Sequence, residues 1–559
     1  MCSGWNGYRK YMNGFIDYTK RILCGVLCLL LLLSGCGGQK EVDIFDKDQL
    51  DIPVADELPL TGEELMAPGR LLRMNLPDFK TLHPLQAMSE AAANVFSLIF
   101  DPAVRIEQDG SCTPNVLEGW EYDSKTLIYT FHIRKNVAFH DETYGTADAD
   151  DLLYAIKYNI EHENAAMHHY TEGILAYTKI DELTFTVQVE QPKHNLLLLF
   201  GFYVVPKEYY ASRGPNTSVI PVGTGAYKVS GYTEDERMIL TRHEGWWKTL
   251  PIYSSIELTP VDPSRIALGS DIYEEYELLF TESITAGSLG VAGKTEVNQI
   301  KTPYLSCLIP NVYNRIMEDG NIRKAIAYGI DRTELISSAL MGLGEATVTP
   351  LSDNYWAVNC DNHGTVTQNK QKALDYLEKA GYRRGEDGRQ YQINSDGTKS
   401  YLSIRLLYSG VNDGYNVNRM VAQVIRKELG EIGITVVPVE KIGEDYLTAL
   451  EEGTFQLALC QFYTYQDNDI SFLLEEPYNY GNFYSTELNK AMQTCKTAAE
   501  TETAIAAYSA LQEMLLEKMP VIGLYYQEHC LLSEADIVIP AKLQFKQIFS
   551  GINSWSDKG

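Results

Sequence analysis

Two sequence patterns and the length of the chain predict an α/β protein. Between residues 402 and 459, strand-like and helix-like segments alternate in the order β-α-β-α-β, which is the order of a parallel, doubly wound lobe. Between residues 127 and 134, apolar side chains occupy every second position, as in a half-buried strand. A chain of 559 residues is long enough for about two or three packed domains.

The individual elements follow from the same kinds of pattern. Strands are predicted where apolar residues alternate or run together, and helices where they recur every three or four positions. Thr146 is predicted to cap the helix after the first alternating strand, Asp331 to cap a later helix, and Gly381 to end another. The predicted strands are 70–76, 127–134, 183–189, 256–261, 402–408, 434–439, 455–459 and 521–526, and the predicted helices are 91–100, 146–156, 322–329, 372–380, 417–429, 444–452 and 505–516.

Residues 1–35 are predicted to be a lipoprotein signal peptide. Lys20 and Arg21 precede an apolar run, 22–33, which is too short to span a bilayer. The run ends at Leu-Ser-Gly-Cys36, which resembles a bacterial lipobox, so Cys36 is the expected lipidation site. Two acyl chains would anchor the protein without a transmembrane helix; the alternative is an uncleaved signal anchor. Residues 36–67 are acidic and lack apolar periodicity, which predicts a solvated tether.

Charge and motif content exclude several functional classes. The net charge of −28 argues against a nucleic-acid-binding protein, because the phosphate backbone requires a basic surface. The sequence contains no G-x-S-x-G, H-E-x-x-H or Walker A motif, so neither an enzyme nor a cofactor is expected. Six cysteines follow Cys36 without a C-x-x-C pair, which argues against a zinc ribbon, and their pairing stays open. They are Cys112, Cys307, Cys360, Cys460, Cys495 and Cys530.

Three histidines invite a metal interpretation. His162, His168 and His169 lie in a polar segment without a rigid ligand spacing such as i, i+4. The segment is therefore interpreted as a solvated loop, and no metal site is expected.

Four motifs, in order along the chain, carry a family resemblance. They are W-E-Y-D…T-F-H-I-R-K…F-H-D…T-A-D-A-D-D at 120–151, V-G-T-G-A-Y-K at 222–228, N-I-R-K-A-I-A-Y-G-I-D-R at 321–332 and K-A…L-E-K-A-G-Y at 372–382. With them the chain resembles the extracellular solute-binding proteins of family 5, the peptide- and nickel-binding lipoproteins of ABC importers. It departs from the family pattern at Glu142, where the family has Gly, and at Ala226, where the family has Pro. Gly223 and Gly225 permit positive φ angles or a close backbone approach.

The resemblance implies a two-lobed periplasmic-binding-protein-like fold (type II, cluster C) with an extra inserted domain. The ligand is then expected in a cleft between lobes that close by hinge motion. The expected boundaries are 36–67 for the tether, 68–104, 218–300 and 523–559 for lobe I, 105–217 for the inserted domain and 301–522 for lobe II.

The implied function is that of a lipid-anchored, monomeric receptor on the outer face of the cytoplasmic membrane. It would capture a small solute, most simply an oligopeptide or dipeptide, and pass it to ABC permease subunits. A nickel-chelate carrier or a ligand sensor of the same fold is the alternative, and an extracellular hydrolase is a more distant one.

Candidate ligand-binding residues lie in two segments. In peptide-binding relatives, an acid in the loop that corresponds to 461–469 binds the α-ammonium group of the ligand. That position is Tyr465 here, with Tyr463 nearby and Asp467 as the nearest carboxylate. Either Asp467 has taken over this role, which is slightly favoured, or the ligand has no free amino terminus there; alternatively, the tyrosines only cover a loop. Ser89 and Glu90 are expected to face the cleft, the alternative being an exposed helix start.

Overall fold

The computed structural model describes residues 69–193, 195–213, 220–262, 265, 275–284, 295–358, 368–411, 416–498, 500–540 and 542–558. The predicted signal peptide, Cys36, the tether and Cys360 lie outside these residues. Within them, helices and strands alternate around one large mixed sheet, in agreement with the predicted α/β class.

The first half of the chain builds one lobe, here called the first lobe, and a strand-rich insert within it. In chain order the elements are β1 (Arg70–Asn75), α1 (Glu90–Ile99), β2 (Val104–Ile106), β3 (Cys112–Pro114), β4 (Leu117–Asp123), β5 (Ile128–Ile133), α2 (Ala149–Glu161), β6 (Ile174–Asp181), β7 (Thr184–Val189), α3 (Leu196–Leu199), α4 (Lys207–Ala211), β8 (Tyr227–Thr233), β9 (Arg237–Arg242), β10 (Tyr253–Thr259) and β11 (Leu278–Thr281). The insert runs from β2 to α4 and contains its own antiparallel sheet, with the order β4-β5-β7-β6.

The second half builds the other lobe, here called the second lobe, and then returns to the first. Its elements are β12 (Thr295–Pro310), α5 (Arg315–Glu318), α6 (Gly320–Gly329), α7 (Arg332–Ala339), β13 (Gly344–Ala346), α8 (Lys370–Lys379), β14 (Arg383–Arg384), β15 (Gln390–Ile393), β16 (Lys399–Tyr401), β17 (Ser403–Gly410), α9 (Val417–Glu431), β18 (Thr435–Ile442), α10 (Glu444–Glu451), β19 (Leu457–Tyr463), α11 (Thr486–Thr497), α12 (Thr501–Lys518), β20 (Ile522–Glu534), β21 (Ile537–Val538) and β22 (Ser556–Asp557). Short 3-10 helices occupy Glu142–Tyr144, His168–Thr171, Ser471–Leu473 and Ile552–Ser554.

One sheet runs through both lobes, in the order β18-β17-β19-β12-β20-β11-β1-β10-β9-β8 with β13 beside β20. β17 is parallel to β18 and β19, as the alternation of elements predicts, whereas β12 is antiparallel to β19 and β20. β12 pairs with β19 of the second lobe and β20 pairs with β11 of the first lobe. The pairing between β12 and β20 is interrupted between Lys301 and Leu305. The first lobe therefore passes into the second at residues 302–304. The predicted domain boundaries remain predictions.

The buried core follows the same division. Phe131 of the insert belongs to the apolar cluster that also contains the residues of β1 and α1, so the insert shares a core with the first lobe. In the second lobe, Leu406 and Leu459 face one cluster while Leu407 and Ala458 face another, because successive side chains leave opposite faces of a strand. Four of the described cysteines are buried and the fifth is half-buried; they are Cys307, Cys460, Cys495, Cys530 and Cys112.

The predicted N-cap of α2 is wrong. Asp148 caps the helix, because its Oδ1 accepts from the backbone N–H groups of Asp150 at 2.8 Å and Asp151 at 3.2 Å. Asp151 Oδ2 in turn accepts from the Asp148 N–H at 3.1 Å, which completes a capping box. Thr146 instead forms a β-bridge with Ala138. The caps predicted at Asp331 and Gly381 are confirmed, with Gly381 at φ +83°.

The strand predicted to end at residue 459 continues to Tyr463. Residues 457–463 pair with residues 304–310 of β12 along their whole length. Tyr463 therefore lies at the end of a strand, and the loop that the sequence places at 461–469 begins only at Thr464.

Gly223 and Gly225 serve a close backbone approach rather than a positive φ. A Cβ atom on Gly223 would lie 2.4 Å from the carbonyl oxygen of Ile99, and one on Gly225 would lie 2.5 Å from the Ile99 carbonyl carbon. The Gly225 N–H donates to Ile99 O at 2.9 Å. This contact fixes the end of α1, and the start of the same helix carries Ser89 and Glu90.

Candidate ligand-binding site

A cleft lies where the insert, the second lobe and the end of the chain meet. The Trp356 N–H donates to the carbonyl oxygen of Asp109 at 3.0 Å, which joins the second lobe to the insert beside this cleft. On its wall, Lys301 Nζ donates to Glu345 Oε1 at 2.6 Å and to Asn354 Oδ1 at 3.0 Å. Its walls include Glu107, Asp109, Lys301, Glu345, Asn354, Tyr355, Tyr465, Gln466, Gln544 and Phe545.

Ser89 and Glu90 lie at the start of α1 but in different environments. Ser89 is exposed, and its Oγ accepts from the Ala92 N–H at 3.2 Å, so it caps the helix. Glu90 is only 2% exposed, and its Oε2 lies 2.6 Å from Nδ1 of the equally buried His529. The alternative of an exposed helix start is therefore wrong for Glu90.

The pKa values of Glu90 and His529 are both raised, for different reasons. Burial raises the pKa of the Glu90 carboxyl, and the hydrogen bond to His529 offsets only part of this effect. Burial acts to lower the pKa of His529, but the hydrogen bond and the charge of Glu90 outweigh it, so that pKa is raised. His529 therefore favours its protonated form beside Glu90.

A group of aromatic rings reaches this pair through Tyr304. The ring centroid of Tyr304 lies 5.6 Å from that of His529, 5.7 Å from Tyr463 and 6.0 Å from Phe545. Burial raises the pKa of Tyr463, which keeps its hydroxyl neutral. Lys546 Nζ lies over the rings of Tyr463 and Phe545, at 5.5 and 5.4 Å from their centroids.

Asp467 is the second buried carboxylate, 3% exposed, and it bonds to groups of the protein itself. Asn195 Nδ2 donates to Oδ2 at 2.7 Å, His169 Nε2 lies 3.5 Å from the same oxygen, and the Asp469 N–H donates to Oδ1 at 3.1 Å. Burial acts to raise the pKa of Asp467, but the hydrogen bond and charge of His169 outweigh it, so the pKa is lowered. Asp467 is therefore an anion that joins the second lobe to the insert.

Tyr465 strengthens the same junction. Its ring stacks on that of His169, with centroids 3.5 Å apart and planes 4° apart. The neighbouring Gln466 N–H donates to the hydroxyl of Tyr170 at 3.2 Å. The interpretation of the histidine segment as a solvated loop is wrong for His169. His162 Nδ1 and His168 Nδ1 lie 3.0 and 2.8 Å from the carbonyl oxygens of Tyr158 and Asn159.

Among the residues that the structure describes, three groups of side chains could hold a cation. In each group the possible ligand atoms lie within 4.8 Å of one another. The groups are Glu90 with Glu282 and His529, His169 with Asp467 and Asp469, and Asp148 with Asp150 and Glu182.

The structure separates the five predicted residues into two neighbouring sets that Tyr463 and Tyr465 connect. Ser89 and Glu90 belong to the first lobe, Asp467 lies in the loop after β19, and the two tyrosine rings are 5.9 Å apart between them. Sequence reasoning missed His529, Lys546 and Asn195. No local pattern marks His529 and Asn195, because they meet Glu90 and Asp467 across 439 and 272 residues of chain.

Comparison with known proteins agrees with this architecture. The profile of "Bacterial extracellular solute-binding proteins, family 5 Middle" matches residues 111–483. The dipeptide-binding protein of Escherichia coli K12 is 21% identical over 444 residues, which cover 73% of this chain and 80% of that protein.

Two solved structures share the fold. NikZ of Campylobacter jejuni, solved with Ni(L-His), has a TM-score of 0.65 and 19% identity, over 87% of this chain and 99% of that chain. The ABC transporter substrate-binding protein CtaP of Listeria monocytogenes has a TM-score of 0.72 and 16% identity, over 88% of this chain and 99% of that chain. Both therefore support the two-lobed binding-protein fold.

These relatives are binding proteins, not enzymes, as the sequence analysis expects of this chain. None of the helices that the structure describes has both the length and the apolar character needed to cross a membrane. The chain belongs to the bacterial extracellular solute-binding proteins of family 5, the solute-binding proteins of ABC importers.

Proposed function

We propose that this protein is a lipid-anchored receptor that captures an oligopeptide or dipeptide between its lobes and passes it to an ABC permease. The observation that carries the proposal is the interruption of β12–β20 pairing at residues 302–304, beside a cleft lined by the insert, the second lobe and the chain end. A few strand residues can there take up the angular change of domain closure. The similarity to a dipeptide-binding protein supports the ligand class.

In this proposal Ser89, Glu90, Tyr463 and Tyr465 contribute to the ligand-binding surface, and Asp467, the fifth predicted residue, supports it from the junction of the insert and the second lobe. Tyr463 and Tyr465 present half-buried rings and hydroxyl groups. Such side chains suit a peptide ligand with an extended backbone and varied side chains. Asp467 already accepts from Asn195 and His169, which favours a role in closing the insert onto the second lobe. That geometry supports the second of the two sequence-based outcomes, in which no ligand ammonium group binds at Asp467.

The ligand class is tested by mass spectrometry of the small molecules that co-purify with the protein. Peptides should be recovered from native protein and released on denaturation. A non-peptide solute as the sole recovered species would contradict the proposal.

Closure is tested by small-angle scattering with the co-purified ligand removed and then restored. Because ligand contacts formed only in the closed state shift the population toward it, saturating ligand should reduce the radius of gyration. An unchanged radius with a bound ligand would remove the hinge mechanism.

The anchor is tested with Cys36→Ala. A chain without the acyl-accepting thiol should leave the membrane fraction, because lipid chains supply the membrane affinity. Cys112→Ala, which removes a different thiol, serves as the control and should stay membrane-bound. Retention of the Cys36 variant in the membrane fraction would mean that another segment anchors the protein.

A carrier of a metal chelate is the second candidate. It is favoured by the 4.8 Å grouping of ligand atoms from Glu90, Glu282 and His529. Calorimetry with Ni²⁺ and excess L-histidine, compared with L-histidine alone, should show an additional saturable component under this alternative and no additional component under the peptide proposal.

A further inference from the structure

Four ionisable groups from separate segments form a cluster next to Phe545, a residue of the cleft wall, and it is here called the floor cluster. It consists of Glu90, Glu282, His529 and Lys546. Glu90 begins α1, Glu282 follows β11, His529 lies on β20 and Lys546 lies near the chain end. The cluster thus lies beside the strands that pass from one lobe to the other.

The two oxygens of Glu90 are not equivalent. Oε2 binds His529 Nδ1 at 2.6 Å. Oε1 is buried and, among the residues that the structure describes, receives no hydrogen bond. A buried carboxylate oxygen without a donor is unfavourable, since it loses water and gains nothing in return. Glu90 therefore has capacity to accept a further hydrogen bond.

Lys546, in turn, is a hydrogen-bond donor that lacks a charged acceptor among the described residues. Its ammonium group lies over the rings of Tyr463 and Phe545, and no carboxylate in the described part of the chain forms an ion pair with it. The charges of Glu90 and Glu282 act on it from a longer distance. The side chain is half-buried, so it has lost part of its hydration without gaining a hydrogen-bond acceptor.

The open acceptor of Glu90 and the unpaired ammonium group of Lys546 together define the chemistry of a complementary ligand. A purely anionic ligand would approach Lys546 but meet Glu90 and Glu282, and a purely cationic one would meet Lys546 and the protonated His529. A ligand that carries both charges can bond to Glu90 and to Lys546 at once. Hydrogen bonds between charged groups are about twice as strong as those between neutral groups. We propose that the floor cluster binds an α-amino-acid-type zwitterion, whose ammonium group donates to Glu90 Oε1 and whose carboxylate accepts from Lys546 Nζ.

This inference rests on the proposed function and deepens it, because it names the charged groups that would bind the two ends of a short peptide. The two charges could belong to the ends of one short peptide or to a free amino acid. Tyr304, Tyr463 and Phe545 form an aromatic wall beside the site, which excludes water from the two ionic contacts and strengthens them.

The test is calorimetry with L-alanine, di-L-alanine and tri-L-alanine, each compared with its N-acetylated and its C-amidated form. Native protein should bind one of the three zwitterions and should bind both blocked forms of it at least about tenfold more weakly. The length that binds most tightly identifies whether a free amino acid or a peptide is the source. This comparison needs no mutation and so does not depend on the folding of a variant.

Two variants then assign each charge. Glu90→Gln should weaken the free zwitterion about tenfold but leave the N-acetylated form nearly unchanged, and Lys546→Met should act in the same way on the C-amidated comparison. Lys542→Met, an exposed lysine in the same segment, is the matched control and should change neither. Circular dichroism confirms that each variant is folded.

Three results would overturn the inference. The first is that native protein binds none of the three zwitterions; the co-purification experiment then still decides the peptide proposal independently. The second is that native protein binds free and blocked forms equally, which removes the zwitterion site but leaves peptide binding intact. The third is that the two variants weaken blocked and free forms alike, which would give Glu90 and Lys546 a purely structural role.

Discussion

Two buried carboxylates, Glu90 and Asp467, differ in how their hydrogen-bonding capacity is used. Asp467 has partners at both oxygens, all from the protein, and they lower its pKa. Glu90 has a partner at one oxygen only, and burial raises its pKa. A carboxylate saturated by its own chain holds the structure together, whereas one with an open oxygen can take a ligand. From this difference we propose that Asp467 acts at the junction of the insert and the second lobe and that Glu90 acts in ligand recognition.

The largest effect is expected for Glu90→Ala. The substitution leaves His529 buried without its partner, so the free energy of unfolding should fall by about 3 kcal/mol or more. Urea unfolding followed by circular dichroism measures the change. Glu282→Ala, in the same cluster but exposed, should stay within about 0.5 kcal/mol of native. Equal losses in the two variants would mean that the Glu90–His529 pair is not a stabilising contact.

A smaller effect is expected for Asp467→Asn. The amide oxygen can still accept from Asn195, but the charge that faces His169 is lost, so stability should fall by about 1–2 kcal/mol. Because Asp467 acts on the junction of insert and second lobe, di-L-alanine and its N-acetylated form should be weakened equally, as calorimetry can measure. A loss of roughly 1.5–3 kcal/mol confined to the free amine would instead make Asp467 the acceptor of the ligand ammonium group.

The smallest effect is expected for the pH dependence of the free energy of unfolding. The contribution of the Glu90–His529 pair is lost as pH rises, whereas that of Asp467 is lost as pH falls. The pKa of His529 is raised above 6.5 in the folded state, so its stabilising contribution is complete below that value and is lost as pH rises through the folded pKa. The raised pKa of Glu90 acts in the same direction. The pKa of Asp467 is lowered below 3.8, so its contribution is present at neutral pH and is lost only as pH falls through the folded pKa.

Unfolding free energies in urea at about pH 6 and about pH 8 measure the His529 part. Native protein should be less stable at the higher pH, and His529→Gln should reduce that difference. Asp467→Asn serves as the control and should keep the difference, since Asp467 titrates outside this range. A native protein that becomes more stable toward the higher pH, with the rise abolished in His529→Gln, would contradict the raised pKa.

The candidate site was predictable from sequence only in part. Ser89, Glu90, Tyr463, Tyr465 and Asp467 were found because they stand near motifs of a recognisable family or directly after a strand. Of the five, the structure places Tyr465 in the wall of the cleft. Their role in ligand binding remains a prediction. The partners of the two carboxylates were not predictable, because His529 lies 439 residues from Glu90 and Asn195 lies 272 residues from Asp467.

By itself the sequence determined the α/β class, the order of strands and helices in the second lobe, the caps at Asp331 and Gly381, and the family. Each of these depends on residues close together in the chain, where apolar spacing and capping groups act locally. Only the tertiary structure decided that β19 continues to Tyr463, that Asp148 rather than Thr146 caps α2, and which carboxylate keeps an open oxygen. Those outcomes depend on which distant segments pack together, since a strand extends as far as its neighbour pairs with it and a buried charge selects its partners from whatever the fold brings near.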